Sequence, residues 1–245
     1  MLVRRRRLVV KLLHLDDSLV VVDKPAGVLS VPGRGSAPSI ADLLAAQRLI
    51  PAGELPRVVH RLDRGASGVM VLGRTPDAQR RLCELFAKRK VDKVYLVLVQ
   101  GFVAADGEVR LPLRVNRDKL RVEVAKRNGK AARTAYRILE RVVGHTLLEC
   151  RPMTGRLHQI RVHLAAIGHP LAVDPKYGGG RAIFLSSYKA GYRPSRRRKE
   201  RPLIARLTLH AARLAFQHPG STAEVTFESP LPKDFQAALN QLRRL

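Results

Sequence analysis

The segment His60–Gly68 collects side chains that could carry out chemistry. It places one histidine, two arginines and one aspartate ahead of a Ser-Gly pair, between two apolar stretches. Asp63 is notable because the chain has only 20 Asp and Glu among 245 residues. Catalytic and binding residues often lie on loops held by rigid elements. An isolated aspartate is also a common turn former, since its carboxylate can bind neighbouring backbone, so both interpretations stay open at this point.

Positive charge is the strongest feature of the composition. The chain has 46 Lys and Arg against 20 Asp and Glu, which gives 46 − 20 = +26, and it is 45% hydrophobic. The hydrophobic share is sufficient for a core, and the charge predicts a polyanionic partner, with nucleic acid first among them. An anionic membrane surface is the other candidate, but no basic amphipathic helix is apparent.

Membrane and secretory signals are not found. The longest apolar runs, such as Leu19–Val22 and Val94–Val99, are too short to span a bilayer, and Met1–Leu15 lacks the pattern of a signal peptide. Cys83 and Cys150 are too few for a disulfide framework. We therefore expect a cytoplasmic protein with no membrane partner.

The elements around the loop follow from short-range patterns. A strand at Asp17–Val22 ends in the turn Lys24-Pro25-Ala26-Gly27, and Val69–Leu72 is a second strand directly after the loop. A short helix is predicted from Ser39 to Leu49. Thr75 is a good N-cap, and Pro76 suits the first position of a second helix.

Later segments alternate between strands and helices. We predict a strand at Val91–Val99, a hairpin turn at Asn128-Gly129, and a helix from Arg156 to Ile167 capped by Thr154. The tail reads as strand, strand and helix. Strands outnumber helices, so the predicted fold class is α+β, with a mixed, mainly antiparallel central sheet flanked by helices and loops.

Three motifs in order resemble one known family. His60-Arg61-Leu62-Asp63 with Ser67-Gly68, Lys93-Val94-Tyr95, and the block from Pro152 to Leu164 are similar to the motifs of the RluA-type family of RNA pseudouridine synthases. Further matches are Asp23-Lys24-Pro25-Ala26-Gly27, Gly168-His169-Pro170, Asp174 with Tyr177-Gly178, and Leu209-His210-Ala211. The resemblance spans roughly residues 17–227.

The resemblance implies an isomerase that needs no cofactor. Such an enzyme breaks the N-glycosidic bond of a uridine in RNA, turns the base and rejoins it through carbon. Asp63 matches the catalytic aspartate, and a carboxylate can act as a nucleophile or stabilise charge at a sugar. Tyr95 matches the active-site tyrosine, although a strand aromatic can also simply fill the core, and the two roles are compatible.

Arg161 matches the family arginine that pairs with the aspartate. In the predicted helix it lies on the edge of the apolar face, where a cation needs a carboxylate partner. Pairing would keep Asp63 ionised and oriented. The alternative is an arginine whose charged end reaches the solvent from a buried stem.

RNA binding is assigned to cations near these motifs. Arg61 stands where the family inserts a side chain beside the flipped nucleotide, although it can also contact phosphate alone. The other predicted RNA-binding residues are His60, Arg64, Arg156, His158, Arg193, Arg196, Arg197 and Arg198. No metal site is expected, because His158 and His163 are five residues apart, and Gly178–Gly180 is interpreted as a flexible hinge.

The segment Arg181–Arg213 holds ten cations and one anion, Glu200. Phe184, Tyr188 and Tyr192 are interleaved with them at four-residue spacing. We expect an exposed, mobile arm that grips phosphates and stacks on unpaired bases, with an ordinary solvated loop as the alternative.

Two residues depart from the family pattern. Ala66 stands where threonine is usual, and Leu157 stands where threonine or serine is usual, so two hydroxyl groups are lost near the site. We interpret these changes as altered loop support.

The predicted organisation is one catalytic domain over residues 1–245, with a basic insert at about 178–206. No separate N-terminal RNA-binding domain is expected, and a monomer is the default for the family. The predicted function is isomerisation of specific uridines in rRNA or tRNA to pseudouridine. The alternative is a non-catalytic RNA-binding or ribosome-assembly protein on the same scaffold.

Overall fold

The computed structural model describes residues 8–33, 37–193, 199–221 and 223–245. This part of the chain forms twelve strands: β1 (Lys11–Leu15), β2 (Leu19–Lys24), β3 (Arg57–Val58), β4 (Ser67–Gly73), β5 (Asp92–Gln100), β6 (Gly107–Val109), β7 (Leu113–Asn116), β8 (Arg121–Val124), β9 (Thr134–Val142), β10 (His145–Pro152), β11 (Leu209–Gln217) and β12 (Glu224–Glu228). Its four α-helices are α1 (Ile40–Ala46), α2 (Pro76–Ala87), α3 (Gln159–Ala166) and α4 (Lys233–Leu242), and a 3-10 turn covers Leu185–Ser187.

The chain divides into two compact units. The first comprises the described residues of Met1–Asp92 and Arg213–Ser229, and the second comprises those of Lys93–Ala212 and Pro230–Leu245. No helix in the described ranges is long and apolar enough to cross a membrane.

The first unit is built on antiparallel strands with mostly apolar buried residues. β2 pairs with β1 and with β4, β3 also pairs with β4, and β11 pairs with β12. Every residue of β4 is buried, as expected for a strand covered on both faces. α2 begins where Thr75 accepts a hydrogen bond from the Ala78 N–H at 3.1 Å, with Pro76 at its first position. These features agree with the predicted helix.

The second unit contains two sheets. β5 pairs with β10, β10 with β9 and β9 with β6, while β7 and β8 form a separate two-stranded hairpin. Phe235 and Leu239 of α4 pack with Leu98 and Leu147 in one core cluster. The predicted α+β class with a mixed, mainly antiparallel sheet is confirmed.

The predicted hairpin turn at Asn128-Gly129 is wrong. The hairpins close at residues 117–120, between β7 and β8, and at 143–144, between β9 and β10. Asn128 does adopt a positive φ of 56°, as a turn residue can. The segment after it makes only an isolated bridge from Lys130 to Leu113, so no strand pair is joined there.

α3 begins at Gln159, three residues later than predicted. His158 has a φ of 52°, in the left-handed region, and therefore interrupts the helix before Gln159. Thr154 provides no cap, because its hydroxyl donates to Gln159 Oε1 at 2.6 Å instead. The same oxygen accepts from the Arg156 N–H, so the side chain of Gln159 organises the turn that precedes the helix.

The basic insert is anchored more firmly than an exposed arm would be. Ile183 and Ile204 are buried and bridge each other, and Tyr188 packs against the same cluster as Phe235. Glu200 accepts hydrogen bonds from the backbone N–H of Ser186 at 3.0 Å and from its hydroxyl at 2.5 Å. The prediction of an exposed arm is therefore wrong for these residues, and Arg196–Arg198 lie outside the described residues.

Within the glycine run 178–180, close packing requires a glycine at position 179. A Cβ on Gly179 would lie 2.0 Å from the Leu171 carbonyl oxygen and 2.6 Å from the Asp174 nitrogen. No side chain fits there. The predicted hinge is thus a place where two backbone segments approach each other around Asp174.

Candidate active site

The loop that carries Asp63 is fixed on both sides. The Ser30 hydroxyl donates to the Leu62 carbonyl at 2.8 Å and accepts from the Leu62 N–H at 2.9 Å. The Ala66 N–H then closes a turn by donating to the Asp63 carbonyl at 3.0 Å. Leu62 is buried and Asp63 is half-buried, so the loop holds its carboxylate-bearing residue at the edge of the first unit's core.

His60 anchors the start of this loop. Its Nε2 accepts a hydrogen bond from the Val71 N–H at 3.1 Å, and its ring stacks on Phe86 with centroids 4.6 Å apart. An Nε2 that accepts must be unprotonated. The ring therefore ties the loop to β4 and α2, and the RNA-binding role assigned to His60 stays a prediction.

The two arginines of the loop differ in their contacts. Arg61 and Arg64 are both exposed, on either side of half-buried Asp63. Arg64 Nε donates to the Gly27 carbonyl at 3.1 Å, and the Gly27 N–H donates to the Arg64 carbonyl at 2.7 Å. Arg64 thus links the loop to the Lys24–Gly27 turn, whereas Arg61 presents its side chain to the surface.

Lys24 is a buried cation to which the motif analysis assigned no role. It is fully buried, and its Nζ donates to the carbonyls of Val28 at 2.9 Å and Pro25 at 3.1 Å. These bonds fold the segment after β2 around the ammonium group. The turn that contacts Arg64 is thereby held in place from inside.

In the second unit, Arg161 lies on α3 and is only 8% exposed. Its Nε donates to Asp174 Oδ2 at 2.7 Å and its Nη2 donates to Asp174 Oδ1 at 2.8 Å. Asp174 is fully buried. The alternative of an arginine reaching the solvent is therefore wrong, and the expectation of a carboxylate partner is met within the unit by Asp174. Pairing of Arg161 with Asp63 stays a prediction.

Tyr177 adjoins this ion pair. The Arg161 Cζ lies 4.9 Å from the centroid of the Tyr177 ring, a distance typical of a cation–π contact. The Tyr177 hydroxyl accepts from the Val122 N–H at 3.0 Å and lies 2.7 Å from His158 Nδ1. Burial raises the pKa of Tyr177 above its ordinary value. Sequence reasoning placed Asp174 and Tyr177 in a family motif without assigning either a role.

Tyr95 lies on β5, opposite Cys150 of β10. Its side chain is half-buried, whereas Cys150 is fully buried and burial raises the pKa of that thiol. A half-buried strand tyrosine can fill part of the core and still offer its ring or hydroxyl to a ligand. Lys93, two residues earlier on the strand, donates from Nζ to the Thr154 carbonyl at 3.5 Å.

The remaining predicted RNA-binding residues differ in accessibility. Arg193 is exposed, and Arg156 is half-buried with its Nε bound to the Ala131 carbonyl at 3.1 Å. His158 is half-buried and turned toward Tyr177. Arg196, Arg197 and Arg198 lie outside the described residues.

His163, the second histidine of the block from Pro152 to Leu164, has a structural role. His163 is fully buried, with Nδ1 2.9 Å from the Thr134 hydroxyl and Nε2 2.9 Å from the Leu111 carbonyl. A carbonyl can only accept, so Nε2 carries the proton. Burial lowers the pKa of His163. The described residues include no group of three or more His, Cys, Asp or Glu placed to hold a metal ion.

Comparison with known proteins identifies the family. The family model for RNA pseudouridylate synthase matches residues 18–166, which include Asp63, Tyr95 and Arg161. The chain belongs to this family. The resemblance to its RluA-type members, based on the three motifs, is confirmed.

Curated relatives and a solved structure extend the match. The chain is 39% identical to ribosomal large subunit pseudouridine synthase D of Nitrosomonas europaea, over 96% of this chain and 66% of the relative. It is 38% identical to the protein of the same name from Neisseria meningitidis serogroup B, over 95% of this chain and 61% of the relative. The chain thus spans slightly less than two thirds of these relatives. The structure of human RNA pseudouridylate synthase domain containing 4 superposes with a TM-score of 0.74 at 29% identity, covering 95% of this chain and 93% of that one.

Proposed function

We propose that this chain is an RNA pseudouridine synthase, an isomerase that converts specific uridines in structured RNA to pseudouridine. The observation that carries the proposal is Asp63, which sits in a family-matched motif on a loop clamped by Ser30 and closed by Ala66. A rigid loop supports a carboxylate that must be aimed at one bond of a substrate.

The reaction rearranges bonds without net gain or loss of atoms. The bond between N1 of uracil and C1′ of ribose breaks, the base turns, and a bond forms between C5 and C1′. The proton at C5 is removed, and N1 ends the reaction protonated. No oxidant, reductant or group donor is consumed, so the proposal requires no cofactor. Asp63 would attack as a nucleophile or stabilise positive charge at the sugar.

The other predicted site residues have supporting roles in this proposal. Tyr95 would lie against the target base and assist removal of the C5 proton. Arg161 would hold Asp63 ionised, because a nearby cation favours the ionised form of a carboxylate. Arg61, exposed two residues before Asp63, would fill the space that a flipped nucleotide leaves in the helix.

Large-subunit ribosomal RNA is the substrate we propose first, with structured tRNA as the second choice. The relatives at 38–39% identity are named for the ribosomal large subunit. The net charge of +26 supports a polyanionic substrate. We further propose that the protein acts in the cytoplasm as a monomer.

Asp63→Asn tests the proposal directly. The purified variant should form no pseudouridine in transcribed ribosomal RNA, mapped by carbodiimide labelling, while it binds that RNA with nearly unchanged affinity. Amide and carboxylate have almost the same shape, so the fold should be kept. Asp17→Asn, at an exposed aspartate in the turn between β1 and β2, is the matched control and should retain full activity.

Two outcomes would contradict the proposal. Turnover by Asp63→Asn near the wild-type rate would remove Asp63 from the mechanism. Tight, salt-sensitive RNA binding by a wild-type protein that forms no pseudouridine in ribosomal or transfer RNA would favour the non-catalytic RNA-binding alternative.

A further inference from the structure

Tyr177 lies where the β7–β8 hairpin meets the helix that carries Arg161. The residue is only 6% exposed. It belongs to a core cluster with Leu113 and Val122 of the hairpin and Val162 of α3. One buried side chain therefore contacts both elements.

The ring of Tyr177 faces Arg161. The guanidinium carbon lies 4.9 Å from the ring centroid, and Asp174 holds the Nε and Nη2 atoms of the same group. A bidentate carboxylate fixes the plane of a guanidinium, and a ring against it limits how far that plane can move. Removing the ring would remove one of these two restraints on the guanidinium and keep the other, Asp174.

The hydroxyl of Tyr177 is hydrogen-bonded to the hairpin. It accepts from the buried N–H of Val122 at 3.0 Å, and His158 Nδ1 lies 2.7 Å from it on another side. A buried N–H that loses its acceptor is costly, because water cannot replace the bond. Beside this bond, Lys176 Nζ donates to the Leu120 carbonyl at 2.5 Å, which adds a second tie to the hairpin.

The hairpin and its flanking residues carry several exposed cations. Residues 110–130 contain eight Lys or Arg and only two acidic residues, Asp118 and Glu123. Arg117 and Lys119 are exposed, and Arg121 is exposed with its guanidinium carbon 5.5 Å from the Tyr177 centroid, whereas Arg114 pairs with Glu123. Such a surface suits RNA phosphates.

We propose that Tyr177 is a positioning residue with two separable contacts. Its ring sets the orientation of Arg161, and its hydroxyl fixes the basic hairpin. The inference rests on the proposed function and deepens it. The ring of Tyr177 supports the rate of pseudouridine formation, and its hydroxyl supports RNA affinity.

Tyr177→Phe and Tyr177→Leu separate the two contacts. With Tyr177→Phe, we expect RNA affinity to fall about fivefold, the usual effect of one hydrogen bond, and the single-turnover rate at saturating enzyme to stay within about twofold. With Tyr177→Leu, that saturating rate should fall about tenfold, because the cation–π restraint on Arg161 is lost as well. Tyr136→Leu, a half-buried ring on β9 of the same unit, is the control for general destabilisation. This control should lower the melting temperature without changing the RNA affinity or the single-turnover rate at saturating enzyme.

Hydrogen exchange gives a readout independent of activity. In Tyr177→Phe without RNA, the Val122 amide should exchange faster than in wild type, while amides of β10 keep their wild-type rates. Unchanged exchange at Val122, or equal loss of saturating rate in the Phe and Leu variants, would overturn the inference. A wild-type protein without isomerase activity would refute the proposed function alone, since exchange and RNA affinity would still test the hydroxyl contact.

Discussion

At the scale of single residues, the chemistry rests on how buried charges are partnered. Arg161 and Asp174 are both buried, and a buried ion is tolerated only when its hydrogen bonds are satisfied. Within the described residues, no fully buried side-chain nitrogen or oxygen lacks a hydrogen-bond partner. Removing one member of such a pair should therefore cost more than removing both.

Arg161→Met should lower both stability and activity. We expect the free energy of unfolding to fall by about 3–5 kcal/mol, because the Asp174 carboxylate stays buried without its partner. The double variant Arg161→Met with Asp174→Leu should recover most of that stability in urea unfolding, yet form no pseudouridine. Arg80→Met, at an exposed helix pair, is the control and should leave the free energy of unfolding nearly unchanged. If the double variant were no more stable than Arg161→Met, Asp174 would not be the energetically important partner.

Tyr95 substitutions should separate ring from hydroxyl. Tyr95→Phe keeps the ring in β5 and should be milder than Tyr95→Ala in single-turnover pseudouridine formation. Removal of the ring also leaves a cavity beside β10, so Tyr95→Ala should lower the melting temperature as well. An equal loss of rate in both variants would instead show that the hydroxyl is essential.

At the scale of elements, α3 depends on side chains that bind the segments in front of it. Gln159 donates from Nε2 to the Arg133 carbonyl and to Thr134 Oγ1, both at 2.9 Å, and His163 also binds Thr134. These bonds attach the helix to the start of β9. The helix that presents Arg161 is thus positioned by buried polar groups as well as by apolar packing.

The stability of this region should decrease at mildly acidic pH. Burial lowers the pKa of His163, and the hydrogen bond to the Leu111 carbonyl opposes that shift without cancelling it. The unfolded chain takes up the proton first as pH falls below about 6.5, so the stability from neutral His163 is present above that pH. It is lost as pH falls toward the lower, folded-state pKa.

Urea unfolding between pH 8 and pH 5 measures this effect. His163→Gln should be less stable than wild type at pH 8 but should lose less stability on acidification. Val162→Ala, a destabilising change on the same helix without a titratable group, should keep the wild-type pH dependence. A wild-type pH dependence in His163→Gln would show that other groups are responsible.

At the scale of the whole molecule, the excess of 26 positive charges is distributed between paired and exposed sites. Arg206 of the basic insert is bound to Asp234, with bonds of 2.7 and 2.9 Å, and Arg213 pairs with Asp92. Arg193, Lys199 and Arg201 are exposed. The exposed cations of the insert are therefore the better candidates for phosphate contacts.

Neutralising these three cations should reduce the salt dependence of RNA binding. The test variant combines Arg193→Gln, Lys199→Gln and Arg201→Gln. If each of these cations contacts one phosphate, the slope of log affinity against log salt should decrease in magnitude by about 2. The control replaces Arg80 and Arg81 of α2 and Lys88 just after it by glutamine. This removes the same charge at sites where each cation has an acidic partner. Equal slopes for both triple variants would show that the insert is an ordinary solvated loop whose cations do not contact phosphates. A deletion of Tyr188–Lys199 is a poorer test, because Tyr188 packs against the buried cluster that contains Phe235.

The sequence by itself determined the family, the fold class and most elements. Local signals such as Thr75 before Pro76, or the continuous apolar run of β4, act over a few residues and can be recognised without the fold. The same holds for Asp63, Tyr95 and Arg161, whose neighbouring residues form motifs. Some predictions were wrong where side-chain contacts that residue spacing does not show decided the local conformation. Gln159 replaced Thr154 in ordering the start of α3, and core packing at Ile183 and Tyr188 anchored a segment whose charge predicts exposure.

Only the tertiary structure decided which buried groups are partners. Arg161 and Asp174 are thirteen residues apart, and Tyr177 and Val122 are fifty-five, so no periodic pattern links them. Partner choice for a buried charge depends on the geometry of the folded chain, since each group must satisfy its hydrogen bonds where water is excluded. For the same reason, the close approach at Gly179 became evident only when the backbone around Asp174 was in place.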